Sequence, residues 1–329
     1  MPRGSSSQSV GSEAANNQLI SPVKKIIASI PYPLFLASRE SQYSIFEKQV
    51  QQLKGVQSRR ITSSVGMSSM AGISERVGDV LGAAVDAKLT AKVIDAGVPQ
   101  HVAVIMDGNR RFAWRKSIPA KIGHRMGKEK LEKMMDWVLE LNIPYLTVYA
   151  LSTENITSRS KKELEILYGL YIEGLDDIRQ DPRIHENKVK VKVIGHTELL
   201  PQSVIDAVNR AEADTAEYDD FTFTICLAYG SREEMVTAIR QIAADHASGK
   251  ISLDEIDQKE VSSRLYTGKI PDPDLVIRTS GEERISNFLL WQAAYSELYF
   301  TDVFWPLFSR RDFLKAIDTY QQRKRRFGE

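Results

Sequence analysis

Two rhythms of apolar and polar positions alternate along this chain, and the switches between them mark its elements. Residues 101–106 form a short, nearly unbroken apolar run, the pattern of a strand buried on both faces. Residues 145–151, 221–229 and 274–278 repeat it, and 298–300 is a shorter candidate for a sixth strand. Residues 189–193 alternate strictly between valine and lysine, which predicts a strand exposed on one face. Between these runs the apolar period lengthens to that of a helix. Leu131, Met134, Met135, Val138 and Leu139 make one stripe over 128–141, and Leu164, Leu167, Tyr171, Leu175 and Ile178 another over 161–179. In 232–245 the pattern predicts Met235, Val236, Ile239 and Ile242 facing inward. Pro201 opens a further helix, 310–323 is the last, and 73–94 is helical in spacing although Gly78 and Gly82 weaken it. Strands alternating with helices of this length predict an α/β fold, a single mainly parallel six-stranded sheet surrounded by helices over 72–329.

Composition changes the picture chiefly at the amino end. Residues 1–23 are rich in Ser, Gln, Asn and Gly without periodicity, a composition that predicts disorder. Residues 1–66 hold eight Lys/Arg against three Asp/Glu, so this segment is net +5 and the remainder of a chain of net +1 is −4. Such a segment is either an organellar transit peptide or sequence upstream of a true start at Met67 or Met70. Residues 1–71 are therefore expected to be an extension outside the fold. The balance of 44 Lys+Arg against 43 Asp+Glu gives no case for a nucleic-acid partner. The single cysteine, Cys226, excludes an intramolecular disulfide and fits a reducing compartment, so a cytoplasmic protein is expected, organellar if 1–66 is a transit peptide.

Candidate chemistry gathers where strands end. The first strand stops at Asp107, Gly108, Asn109, Arg110 and Arg111: a carboxylate, a flexible turn and two guanidinium forks, suited to an anionic ligand with a divalent metal. The second ends at Ser152, Thr153, Glu154 and Asn155, and the fifth at Arg278. In parallel sheets ligands sit beyond the carboxyl ends of strands, so these three termini converge on one site. The segment 278–287 reads either as a second anionic pocket built from Arg278, Arg284 and Ser286, or as a solvated loop whose arginines pair with Glu282 and Glu283. Glu297, in an otherwise apolar run, needs an arginine or a metal as partner. His124 and the basic tail 323–328 admit both a structural and a functional reading. No Gly-x-Gly-x-x-Gly follows the first strand, which disfavours a dinucleotide oxidoreductase.

Assembled, these blocks resemble the cis-prenyltransferases, the undecaprenyl and dehydrodolichyl diphosphate synthase family. The resemblance rests on Met106–Arg111, Tyr149–Asn155, Asp274–Glu282, Arg284–Gln292, Glu297–Phe300 and Arg325–Gly328, in family order from about residue 99 to 328. It implies condensation of isopentenyl diphosphate onto an allylic diphosphate (farnesyl or geranylgeranyl) with cis double bonds, dependent on Mg²⁺. By analogy Asp107 is the essential carboxylate and shares the metal with Glu297. Gly108, Asn109, Arg110, Arg111, Phe112 and His124 would serve the allylic diphosphate. Arg278, Arg284 and Ser286 would hold isopentenyl diphosphate. Ser152, Thr153, Glu154, Asn155 and Arg159 belong to a mobile segment, with Asn155 handling the proton. Arg326 and Gly328 would reach toward the partner site of a homodimer, an apolar tunnel would house the growing chain, and a membrane-bound product implies peripheral membrane contact. Arg110, where bacterial members have glycine, places the chain nearer the archaeal and eukaryotic branches. Phe112 stands for a tryptophan, Ala120 for an arginine and Glu283 for a histidine of the bacterial pattern, and one residue is added before Arg159. The same fold also admits a short-chain or non-head-to-tail enzyme, and a non-catalytic partner subunit.

Overall fold

The computed structural model describes residues 86–324, so the predicted boundary at 71/72, most of the 73–94 helix, Arg326 and Gly328 lie outside the described residues. All six expected strands form. They are β1 (His101–Ile105), β2 (Tyr145–Tyr149), β3 (Val189–Ile194), β4 (Phe221–Cys226), β5 (Leu275–Arg278) and β6 (Glu297–Phe300). They make one sheet in the order β3-β4-β2-β1-β5-β6, and every pairing is parallel. The strand with the longest apolar run, β1, lies inside the sheet with all five residues buried, as an unalternating pattern requires. The lysine-alternating β3 takes an edge.

The helices are α1 (86–95), α2 (Asn109–Arg115), α3 (Ala120–Glu140), α4 (Thr153–Ser158), α5 (Lys161–Gln180), α6 (Pro182–Glu186), α7 (Gln202–Asp214), α8 (Ser231–Ala247), α9 (Gln258–Arg264) and α10 (Arg310–Lys324). The register aligns the carboxyl ends that matter. Ile105 pairs with both Tyr149 and Arg278, so the turns after β1, β2 and β5 leave the sheet at one level.

Two predicted elements differ from their sequence reading. Helix α3 begins eight residues before the expected start at 128, because its first turns carry Gly123 and Gly127 rather than an apolar stripe. Those glycines make room for Asn109: a Cβ at Gly123 would stand 2.4 Å from the Asn109 carbonyl oxygen, and one at Gly127 2.5 Å from its Oδ1. On α8 the inward face is only partly the predicted one: Ile242 is buried as expected, but the face is rotated. Val236 and Ile239 are 45% and 60% exposed, and the buried positions are Ser231, Glu234, Ala238 and Ile242. Glu234 faces the core because it has partners there. Its carboxylate accepts from the Tyr229 hydroxyl at 2.5 Å, from Gln292 Nε2 at 3.2 Å and from the Tyr266 backbone N–H at 2.8 Å. Burial still raises its pKa against those donors.

Candidate active site

Asp107 follows β1 directly, and three donors arrange its carboxylate. Oδ1 accepts the Gly108 N–H at 2.7 Å; Oδ2 faces Arg278 at 3.0 Å and Arg111 at 3.2 Å. The main chain there is pinned as well, since the Asp107 carbonyl accepts from the Thr279 hydroxyl at 2.7 Å and the Trp305 N–H at 3.0 Å. Gly108 has φ +106, a left-handed conformation that glycine adopts without strain, and a Cβ there would meet Phe304 and Ser280 at 2.8 Å. The turn can therefore carry donors close to a ligand only with glycine at its centre.

Arg278 closes β5 and is buried. One guanidinium nitrogen donates to the Ser286 hydroxyl at 2.7 Å and to the Arg284 carbonyl; the other meets Asp107. Of the two readings of 278–287, the structure contains parts of both. Arg278 joins the buried cluster with Ser286, whereas Arg284 is exposed and pairs with Glu282. Glu282 also takes Arg111 at 2.6 Å, so one carboxylate links the turn after β1 to the loop after β5.

The third terminus supplies α4. Ser152 caps it, its hydroxyl accepting from the Asn155 N–H at 3.1 Å and the Asn155 amide at 2.8 Å. Asn155 Oδ1 accepts from Arg159 at 2.7 Å, and Arg159 reaches Glu163 at 2.5 Å. The Ser152–Thr153 backbone is stitched to Tyr229, and the Glu154 carboxylate accepts from Asn287 Nδ2 at 3.1 Å, which ties α4 to the Ser286 loop. Sequence reasoning missed Glu163. It gathers Arg159, Arg110 at 3.3 Å and His124 at 3.5 Å; Arg159 is extended chain just before the Ser160 cap of α5, so helical spacing gave no signal for the contact. His124 is buried; desolvation and then the Arg159 charge hold its pKa below the ordinary histidine value, against the pull of Glu163. It is neutral near pH 7.

Behind this cluster a cavity of about 450 Å³ runs between α3, α5 and the sheet. Asn109, His124 and Arg159 line its polar mouth, and Leu131, Met135, Leu167, Leu170, Leu175 and Ile225 its apolar walls. Tyr149 and Tyr171 also line it, Tyr171 from the apolar stripe predicted over 161–179. Phe112 is packed in the core and does not. Glu297 is not brought to Asp107 within this chain. It pairs in register with Leu275 at the amino end of β5, three residues from the Arg278 level, and meets Arg323 at 3.0 Å. No cluster of three or more His, Cys, Asp or Glu able to hold a metal occurs among the described residues.

A parallel sheet whose carboxyl ends carry a carboxylate with clustered guanidinium groups, next to an apolar cavity lined by Met106 and Asn109 of the same turn, defines a class of protein shaped for amphiphiles with anionic heads. The comparisons with known proteins agree. The prenyltransferase family model described as undecaprenyl diphosphate synthase matches residues 105–328. A tritrans,polycis-undecaprenyl-diphosphate synthase (geranylgeranyl-diphosphate specific) of Thermoplasma volcanium is 47% identical over 78% of this chain and 99% of its own. The enzyme of that name from Pyrococcus horikoshii is 50% identical over 73% of this chain and 90% of its own. Among solved structures, lavandulyl diphosphate synthase from Lavandula x intermedia, in complex with dimethylallyl diphosphate, superposes with a TM-score of 0.65 at 35% identity, covering 68% and 95% of the two chains. This chain belongs to the undecaprenyl diphosphate synthase family of cis-prenyltransferases, on its archaeal branch.

Proposed function

We propose that this protein condenses isopentenyl diphosphate units onto an allylic diphosphate primer, with geranylgeranyl diphosphate the favoured primer, to give a polyprenyl diphosphate. The observation that carries the reading is the Asp107–Arg278–Arg111 cluster, built beside a turn whose Met106 and Asn109 line the apolar cavity. Arg278, shielded from water, offers permanent positive charge to phosphate oxygens in a low-dielectric setting, where such charge acts most strongly. Its contact with Ser286 places a hydroxyl beside it for the same ligand. Gly108 and Asn109, with Arg110 and Arg111, take the allylic diphosphate, while the cavity receives its tail and keeps water from the allylic cation. Asn155, held by Ser152 and Arg159, is oriented toward the attacking substrate and its departing proton.

The site fits Mg²⁺ through a single protein carboxylate. That ion is held by one or two carboxylates together with substrate phosphates, and half-exposed Asp107 supplies the protein's share. When bound it would neutralise the charge of the leaving diphosphate. Glu297 would contribute only from a position outside this chain's own Asp107 site, which connects it with a homodimer in which Arg326 and Gly328 complete the neighbouring site. No helix among the described residues is long and apolar enough to cross a membrane. We place the enzyme in the cytoplasm with peripheral contact to the bilayer.

Incorporation of radiolabelled isopentenyl diphosphate tests this reading, with dimethylallyl, geranyl, farnesyl and geranylgeranyl primers, with and without Mg²⁺. A metal-dependent polyprenol with long chains, lost by about a hundredfold or more in Asp107→Asn, is the expected result. A short or branched product would assign the non-head-to-tail chemistry instead. No incorporation with any primer would leave the chain a non-catalytic subunit.

A further inference from the structure

The elbow between α2 and α3 has no task in the chemistry above, and its surface is unusual. Every residue from 114 to 122 is exposed except Ile118, which is half-buried. Trp114 is 81% and Ile122 43% exposed. Leu307, 45% exposed, lies in a short turn of helix, Trp305–Leu307, that packs against both α2 and α3. Large apolar side chains grouped in this way mark an interaction surface more often than singly scattered ones do.

The charge around them has one sign. Residues 108–128 contain seven Lys/Arg and no Asp/Glu. Arg110, Arg111, Arg125 and Lys128 are engaged by carboxylates from elsewhere in the fold. Arg115, Lys116 and Lys121 form no ion pair among the described residues; Arg115 instead lies over the Phe304 ring at 4.9 Å. Uncompensated cations interleaved with an indole, an isoleucine and a leucine are suited to a surface that is negative outside and apolar within.

We propose that residues 114–122, with Leu307, dock the protein on a bilayer containing anionic phospholipid. Charge complementarity selects this occupant. A second copy meeting the same face would oppose like charges, and residues 1–66, at net +5, would be repelled by it. Trp114 would sit at the headgroup level, where the amphipathic indole ring is favoured, with Ile122 and Leu307 reaching the acyl boundary and the three cations over the headgroups. The proposal draws on the function proposed above only in that a polyprenyl product belongs in a membrane, and vesicle binding is measured without turnover.

The full chain would be co-sedimented with vesicles of phosphatidylcholine alone and of phosphatidylcholine with phosphatidylglycerol, at low and high salt. Binding to the anionic vesicles that falls with salt, weakens at least tenfold in Arg115→Glu/Lys116→Glu and falls severalfold in Trp114→Ala is expected. Turnover of soluble short-chain primers should stay unchanged in all variants. Absence of binding to anionic vesicles, or binding that the variants leave intact, overturns the proposal. So does a charge-reversed variant that binds vesicles normally but loses kcat/KM, because the cations would then serve substrate capture. An inactive chain that still binds vesicles through these residues would remove the proposed chemistry and leave the docking face standing.

Discussion

Asp107 and Arg278 illustrate how individual residues here depend on partners far away in sequence. A buried guanidinium without a counter-charge is costly, and Arg278 is tolerated because a carboxylate, a hydroxyl and a carbonyl converge on it. His101 is a second buried polar residue, at the opposite end of β1. Its Nδ1 donates to the Pro271 carbonyl at 2.6 Å, so Nε2 is the acceptor for the Thr147 hydroxyl at 2.8 Å. Burial lowers its pKa to about 4, so the folded protein holds the ring neutral while the unfolded chain takes up a proton near the ordinary histidine value. Stability therefore rises with pH between about 4 and 6.5, and about 3 kcal/mol is lost as pH falls through that window. Urea unfolding at a series of pH values should show this slope in the wild type and a flatter one in His101→Gln.

Among elements, the pair α3 and α5 deserves the closest test, because the cavity lies between them. Lys128 on α3 reaches Asp177 at 2.5 Å and Glu173 at 3.5 Å on α5, and Glu132 at 2.9 Å on its own helix. Its aliphatic stem lines the cavity and passes 3.5 Å from where a Cβ on Gly174 would be. Removing the ammonium leaves Glu132 and Asp177 facing one another across the seam, with only the Arg125–Glu173 pair at 3.1 Å still joining the two helices there, which favours their parting. Lys128→Met keeps the stem and loses the charge, so its products should shift to longer chains when sized by thin-layer chromatography. High salt should move the wild type in the same direction and the variant little. An unchanged distribution would show that the seam does not limit chain length. Helix α8 teaches the complementary lesson: Val236 and Ile239 of its apolar stripe faced solvent while a glutamate with three donors took a place in the core.

For the whole molecule, the family match begins at residue 105 and the strands that build the site all follow residue 100. Deleting residues 1–66 should leave turnover within about twofold of the full chain, since the site built from the described residues starts after residue 100; loss of activity in a folded truncated protein would assign the extension a direct role. Much of this architecture was legible beforehand. Unbroken and alternating apolar runs are backbone periodicities, so they located six strands, the principal helices and the three strand ends that carry polar chemistry. The one-sided exposure of β3 followed from its lysines, whereas its place at the edge came only with the sheet order. What the sequence could not order was contact between distant segments. That Glu282 would join Arg111 to Arg284, that Glu163 would collect three cationic or titratable side chains, and that Glu297 would stand at the other end of the sheet from Asp107 all depend on register and crossover. The residues and their local periods determined the elements and the kind of ligand. Only the tertiary structure decided which charges meet, because ion pairs and cavities form between segments whose spacing along the chain says nothing about their separation in space.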